Sequence, residues 1–95
     1  MLSLVTDKDG DVVYLHADKS GLEQIQAVVS RLLKHLEQDD CEHDHLFSES
    51  WGGNELTETM LGQERQSGCR QVHHLKVYGW TDEWASKHEL TINAL

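Results

Sequence analysis

The sequence predicts an α+β fold: a largely antiparallel sheet of about five strands, with one long amphipathic helix on one face, in the order β-β-α-β-β-β. Three observations carry this. Gly21 to Gln38 shows apolar residues at helical spacing. Several shorter runs are rich in β-branched and aromatic residues and are bounded by turn chemistry. The chain has 95 residues, 38% of them hydrophobic, which suits one core and one binding face. Residues 1–95 are therefore read as a single domain, with 81–95 as a C-terminal extension.

Residues 1–17 read as a β-hairpin. Leu2 to Thr6 is a short apolar run, Asp9-Gly10 suits the positive φ of a tight turn, and Val12 to Ala17 is β-branched and aromatic. Asp7-Lys8-Asp9-Gly10-Asp11 has the opening of a calcium loop but lacks the downstream Glu and flanking helices, so it reads as turn chemistry. Ser20 and Glu23 have the spacing of a capping box. Leu22, Ile25, Val29, Leu32 and Leu36, widened by Val28 and Leu33, make the expected buried stripe of the helix.

Glu42 to Ser48 reads as a strand with a polar outer face, Trp51-Gly52-Gly53-Asn54 as a turn, Glu55 to Leu61 as a further short strand and Gly62 to Gly68 as a polar loop. Gln71 to Trp80 is the longest strand candidate. Its alternation puts Leu75 and Val77 on one face and Val72, His74, Lys76, Tyr78 and Trp80 on the other. Glu83-Trp84-Ala85 starts a helical turn, and Leu90 to Asn93 reads as a last strand.

The charge balance narrows the partners. Eight Lys and Arg stand against 17 Asp and Glu, a net charge of -9. Nucleic acid and anionic membrane need a basic footprint and are not expected partners. Between Glu37 and Glu64 lie nine acidic residues and no Lys or Arg, which favours either a basic partner or a solvated face. Two cysteines are too few for a disulfide framework. The N-terminus lacks the pattern of a signal peptide, and no apolar run has the length of a membrane span. The expected compartment is the cytoplasm.

Three constellations bear on chemistry. Cys41, His43 and His45 alternate on a strand and could meet Cys69 and His73 to form a small Cys/His metal-binding module, although the spacing is not that of a zinc finger. Asp44, Glu49, Glu55 and Glu58 could supply paired carboxylates, but no nucleophile motif surrounds Ser48, Ser50 or Cys41, and no phosphate-binding loop is present. An enzyme is not expected, nor a cofactor. Ser50 to Leu56 sets a Trp on a Gly-Gly turn among carboxylates. Such a Trp either anchors an interface or folds back on the core.

Two segments carry a family resemblance. Asp44-His45-Leu46-Phe47-Ser48-Glu49-Ser50-Trp51-Gly52-Gly53-Asn54-Glu55-Leu56 and Val72-His73-His74-Leu75-Lys76-Val77-Tyr78-Gly79-Trp80 resemble the immunity protein 32 family of bacterial polymorphic toxin systems. The resemblance covers about residues 10–80, and His73 stands where Asn is expected. It implies an antitoxin that binds and neutralises a cognate toxin domain, here a basic nuclease-type domain covered by an acidic face. The contact residues expected are Asp44, Glu49, Trp51, Asn54 and Glu55, with Tyr78 and Trp80 next. A homodimer through an exposed sheet edge or the C-terminal segment is a further possibility.

Overall fold

A computed structural model describes residues 1–90 and has the expected α+β arrangement. Strands β1 (Leu2–Thr6) and β2 (Val13–Ala17) form the hairpin, with Gly10 at positive φ in its turn. Helix α1 (Lys19–His35) follows, then β3 (Cys41–Phe47), a 3-10 turn (Glu49–Trp51), α2 (Gly62–Gln66), β4 (Arg70–Gln71), β5 (His74–Trp80) and α3 (Asp82–Lys87). The expected strand at Leu90–Asn93 lies largely outside the described residues.

The five strands are all antiparallel and fall into two sheets, β2-β1-β4 and β3-β5, rather than the single sheet expected. The single strand expected over 71–80 is interrupted at Val72–His73. Its first part pairs with β1 and its second with β3, so one segment joins the two ladders. Backbone bonds continue across the break: the Val72 N–H reaches the Leu4 carbonyl at 2.8 Å, and the Ser48 N–H reaches the His73 carbonyl at 2.8 Å. The interruption also shifts the side-chain phase. Val72 packs against the core with Leu75 and Val77, rather than facing out with His74.

The core consists of Leu2, Leu4, Val28, Leu32, Leu46 and Leu56. Helix α1 presents Gly21, Val28 and Leu32 to it, flanked by the half-buried Ile25 and Leu36. Leu22, Val29 and Leu33 of the expected stripe are exposed instead. The helix is capped by Asp18, whose Oδ1 accepts the Gly21 N–H at 2.9 Å; the Ser20 hydroxyl donates to the same oxygen. The Ser20–Glu23 capping box therefore does not form. Asp18 stands earlier in the chain, and its ionised carboxylate suits the positive helix end better than a hydroxyl does.

Two further expectations are corrected. Glu55–Leu61 is not a strand: Leu56 makes one isolated bridge to Ser48, and the Thr57 N–H bonds the Leu2 carbonyl at 2.7 Å. Gly62–Gly68 is not an open loop, because it contains α2. The Glu64 carboxylate accepts the Leu61 N–H at 2.8 Å at the start of that helix and meets His16 Nε2 at 2.9 Å. Glu64 is only 7% exposed, which is tolerable because it is paired on both sides. No described helix is long and apolar enough to cross a membrane.

Candidate functional site: an aromatic face on the β3–β5 ladder

Alternation along two paired strands decides what each face carries. Cys41 lies opposite Trp80, His43 opposite Tyr78, His45 opposite Lys76 and Phe47 opposite His74. Leu46, Leu75 and Val77 turn inward to the core under α1. The outer face is therefore built almost wholly from aromatic and imidazole rings. His74 stacks on Phe47 with centroids 4.2 Å apart, and His45 stacks on His74 at 5.1 Å. His43 meets His45 edge-on at 5.0 Å and leans on Tyr78 at 5.6 Å. Trp80 stacks on Trp84 of α3 at 5.4 Å, and Trp84 on His88 at 4.0 Å. Lys76 Nζ sits 4.7 Å from the Tyr78 centroid, a cation–π contact.

Much of this face stays in solvent: Tyr78 is 51% and Trp80 38% exposed. His45 Nδ1 and His74 Nε2 are 2.8 Å apart, so one donates to the other. Desolvation, followed by the positive charge of Lys76, holds the His45 pKa below its ordinary value. At neutral pH His45 therefore favours its neutral form within this hydrogen-bonded pair.

The Trp51 loop borders one end of the face. Glu55 organises it: Oε2 accepts the N–H groups of Phe47 and Asn54, both at 3.1 Å. The Phe47 bond, foremost, lowers the Glu55 pKa. Gly52 has φ +85°, in the left-handed region, and a Cβ on Gly53 would overlap the Cβ and carbonyl oxygen of Phe47. The Gly-Gly pair thus has a local steric reason. Trp51 lies flat over His73, with centroids 5.4 Å apart and planes within 3°, yet stays 59% exposed. It covers an imidazole rather than the core.

The expected contact residues separate into two groups. Trp51, Glu49 and Asn54 are exposed on the loop, and Tyr78 and Trp80 on the ladder face. Asp44 and Glu55 are committed inside the domain. Asp44 faces α1 and pairs with Arg31, lining a cleft with Gln24, Ala27, Val28 and Leu46. Glu55 holds the loop backbone. Glu58 is also engaged, accepting the Ser50 N–H at 3.1 Å; hydrogen bonds from Ser50 lower its pKa. Phe47, His43, His45 and His74 belong to the face but were not singled out as contacts. The alternation of Cys41-x-His43-x-His45-x-Phe47 against His74-x-Lys76-x-Tyr78-x-Trp80 contained that signal.

Ser48, His73 and Glu58 come together as a hydroxyl, an imidazole and a carboxylate. Ser48 Oγ is 2.8 Å from His73 Nδ1, and Glu58 Oε1 is 3.6 Å from the same nitrogen. A catalytic triad needs its nucleophile and its carboxylate on opposite ring nitrogens. Here both address Nδ1, and Ser48 is fully buried. This group fixes the loop to β5. Of the five Cys and His residues considered for a metal, Cys41, His43 and His45 share the outer face, while His73 lies under Trp51. Cys41 ends the outer face beside Trp80, while Cys69 lines a separate cleft with Tyr14, His16 and Glu64. Among the described residues, the group whose ligand atoms lie within 4.8 Å of one another is Asp7, Asp9 and Asp11. Asp7 Oδ1 there accepts the N–H groups of Asp11 and Val12, as a turn-forming Asp does.

No family model, curated protein or solved structure matches this chain.

Proposed function

We propose that this chain is a protein-binding domain of the immunity type, which neutralises a toxin domain by covering it with the outer face of the β3–β5 ladder. The exposed ring surface formed by Tyr78, Trp80, His43, Phe47 and His74, continued by Trp51, supports this most directly. Exposed aromatic clusters of this kind are the usual anchors of protein interfaces, because they bury large area at small entropic cost. Among the described residues, the Ser48–His73–Glu58 group has a buried hydroxyl and both partners on the same ring nitrogen, which does not suit nucleophilic attack.

The acidic surface has a secondary part. Asp44 and Glu55 are occupied within the domain, which leaves Glu49 beside Trp51 as the carboxylate best placed to meet a basic partner. A rim charge of that kind governs association rate more than affinity. The partner class, a basic nuclease-type toxin domain, rests on the family resemblance and the net charge of -9. Charge reversal at Glu49 is expected to slow association at low salt and leave folding intact. Stopped-flow binding to the toxin domain encoded immediately upstream reads this, and a rate unchanged at low salt would remove the steering role.

A further inference from the structure

We infer that β2 is the docking edge for a second copy of this chain, pairing antiparallel with its own two-fold mate. Among the described residues, β2 is bonded only to β1, so its outer side is a free edge. The ladder phase fixes which groups are free. The Asp7 N–H bonds the Val12 carbonyl at 3.1 Å, and the Asp18 N–H bonds the Met1 carbonyl at 3.2 Å. The alternation of an antiparallel pair then assigns Tyr14 and His16 to the bonds with β1, and turns the N–H and C=O groups of Val13, Leu15 and Ala17 outward. The β1 side agrees, since the Leu2 and Leu4 carbonyls bond away from β2, to Thr57 and Val72.

This edge lacks the usual protections. Val13 to Ala17 contains no Lys, no Pro and no carboxylate, and Val12, Val13, Tyr14 and Leu15 are all exposed. The helix above it adds to the surface. One flank of α1, bearing Gln24, Ala27 and Arg31, turns to β3. Leu22, Val29 and Leu33 lie on the opposite flank, toward the β2 side, and are exposed.

Charge selects a second copy as the occupant. When a two-fold axis passes through Leu15, Leu15 exchanges bonds with its mate, and Val13 with the mate's Ala17. The same register brings the hairpin turn that bears Asp11, just before β2, toward the mate's Lys19, which opens α1 just after it. Asp11 belongs to the carboxylate-rich hairpin tip, where Lys8 is the lone cation, and Lys19 is 94% exposed with only a 4.0 Å contact to Glu23. Each copy therefore offers Asp11 as a second anion to the other's exposed Lys19, beside its own Glu23, twice over, as an isologous interface requires. Two uncharged edges between matched charges are also where chains of net charge -9 can approach with least repulsion. The β3–β5 face belongs to the other sheet and takes no part in this edge, so the dimer would present two copies of it.

Light scattering after size exclusion at about 100 μM is expected to give twice the 10.9 kDa chain mass. Leu15→Lys should give a monomer at that concentration with an unchanged far-UV spectrum. Asp11→Lys and Lys19→Asp should each weaken the dimer at least tenfold, and an equimolar mixture of the two should restore it, because the mixed dimer rematches both pairs. A monomeric wild type, a dimer indifferent to Leu15→Lys, or a mixture no tighter than its components would overturn the inference. So would a monomer with a slowly exchanging Leu15 amide, which would assign the edge to another segment of the chain. Protection of that amide only on adding a different protein would likewise assign it elsewhere.

Discussion

Glu55 and the two glycines before it show how single residues hold the loop in place. Gly53 sits where any Cβ would collide with Phe47, so Gly53→Ala should cost about 1–3 kcal/mol in urea unfolding, as overpacking does. Gly52 is open around its Cα but has φ +85°, so Gly52→Ala should cost about 1–2 kcal/mol through backbone strain alone. The titrating residues act in one direction. Glu55, Glu58 and Glu64 have pKa values below the ordinary 4.5, chiefly through hydrogen bonds from Phe47, Ser50 and Leu61. Their contribution is complete above pH 4.5 and is lost as pH falls through the lowered values. His45 is also depressed, below the ordinary 6.5, so the folded state favours its neutral form. Protonating it costs stability as pH falls below 6.5. Urea midpoints should therefore decline in two steps below neutrality, and His45→Gln should flatten the upper step. A midpoint constant from pH 7 to pH 5 would contradict the lowered pKa of His45.

At the scale of elements, the helix and the two long strands were legible because periodicity and burial agree in them. The phase of α1 was less so. Its apolar residues span more than one face, and only the fold decides that Val28 and Leu32 are covered while Leu22, Val29 and Leu33 are not. Leu32→Ala should therefore destabilise by about 2–5 kcal/mol, and Leu33→Ala by less than about 0.5. Similar losses at the two positions would mean the helix is rotated. The break at Val72–His73 could not be read locally, because it exists to let one segment serve both β1 and β3. Helix α2 was hidden by a polar composition, and the burial of Glu64 depends on His16, far away in sequence. The fate of the acidic residues was hidden for the same reason: nothing adjacent to Asp44 announces Arg31, or to Glu55 the Phe47 amide. The aromatic face, by contrast, was written in the alternation of β3 and β5 and needed only their register.

Over the whole molecule, the two sides of the sheet carry different chemistry. The core and α1 occupy one side, with the apolar edge at β2. The outer side of β3–β5 carries rings that stay partly in solvent, with Trp84 of α3 packed on Trp80 at one end. The acidic excess is spread around both, and several of its carboxylates hold turns and helix ends. Under the proposed function, the rings are the binding surface and the charge steers association.

The most direct test of that reading is the affinity of the chain for the C-terminal domain encoded by the gene immediately upstream, the proposed toxin, measured by calorimetry for the wild type and for Tyr78→Ala/Trp80→Ala, alongside rescue of growth. The expected result is a tight wild-type complex that restores growth, and at least a hundredfold loss, about 3 kcal/mol, in the folded double variant. Absence of binding and rescue by the wild type, or equal affinity of the double variant, would contradict the account.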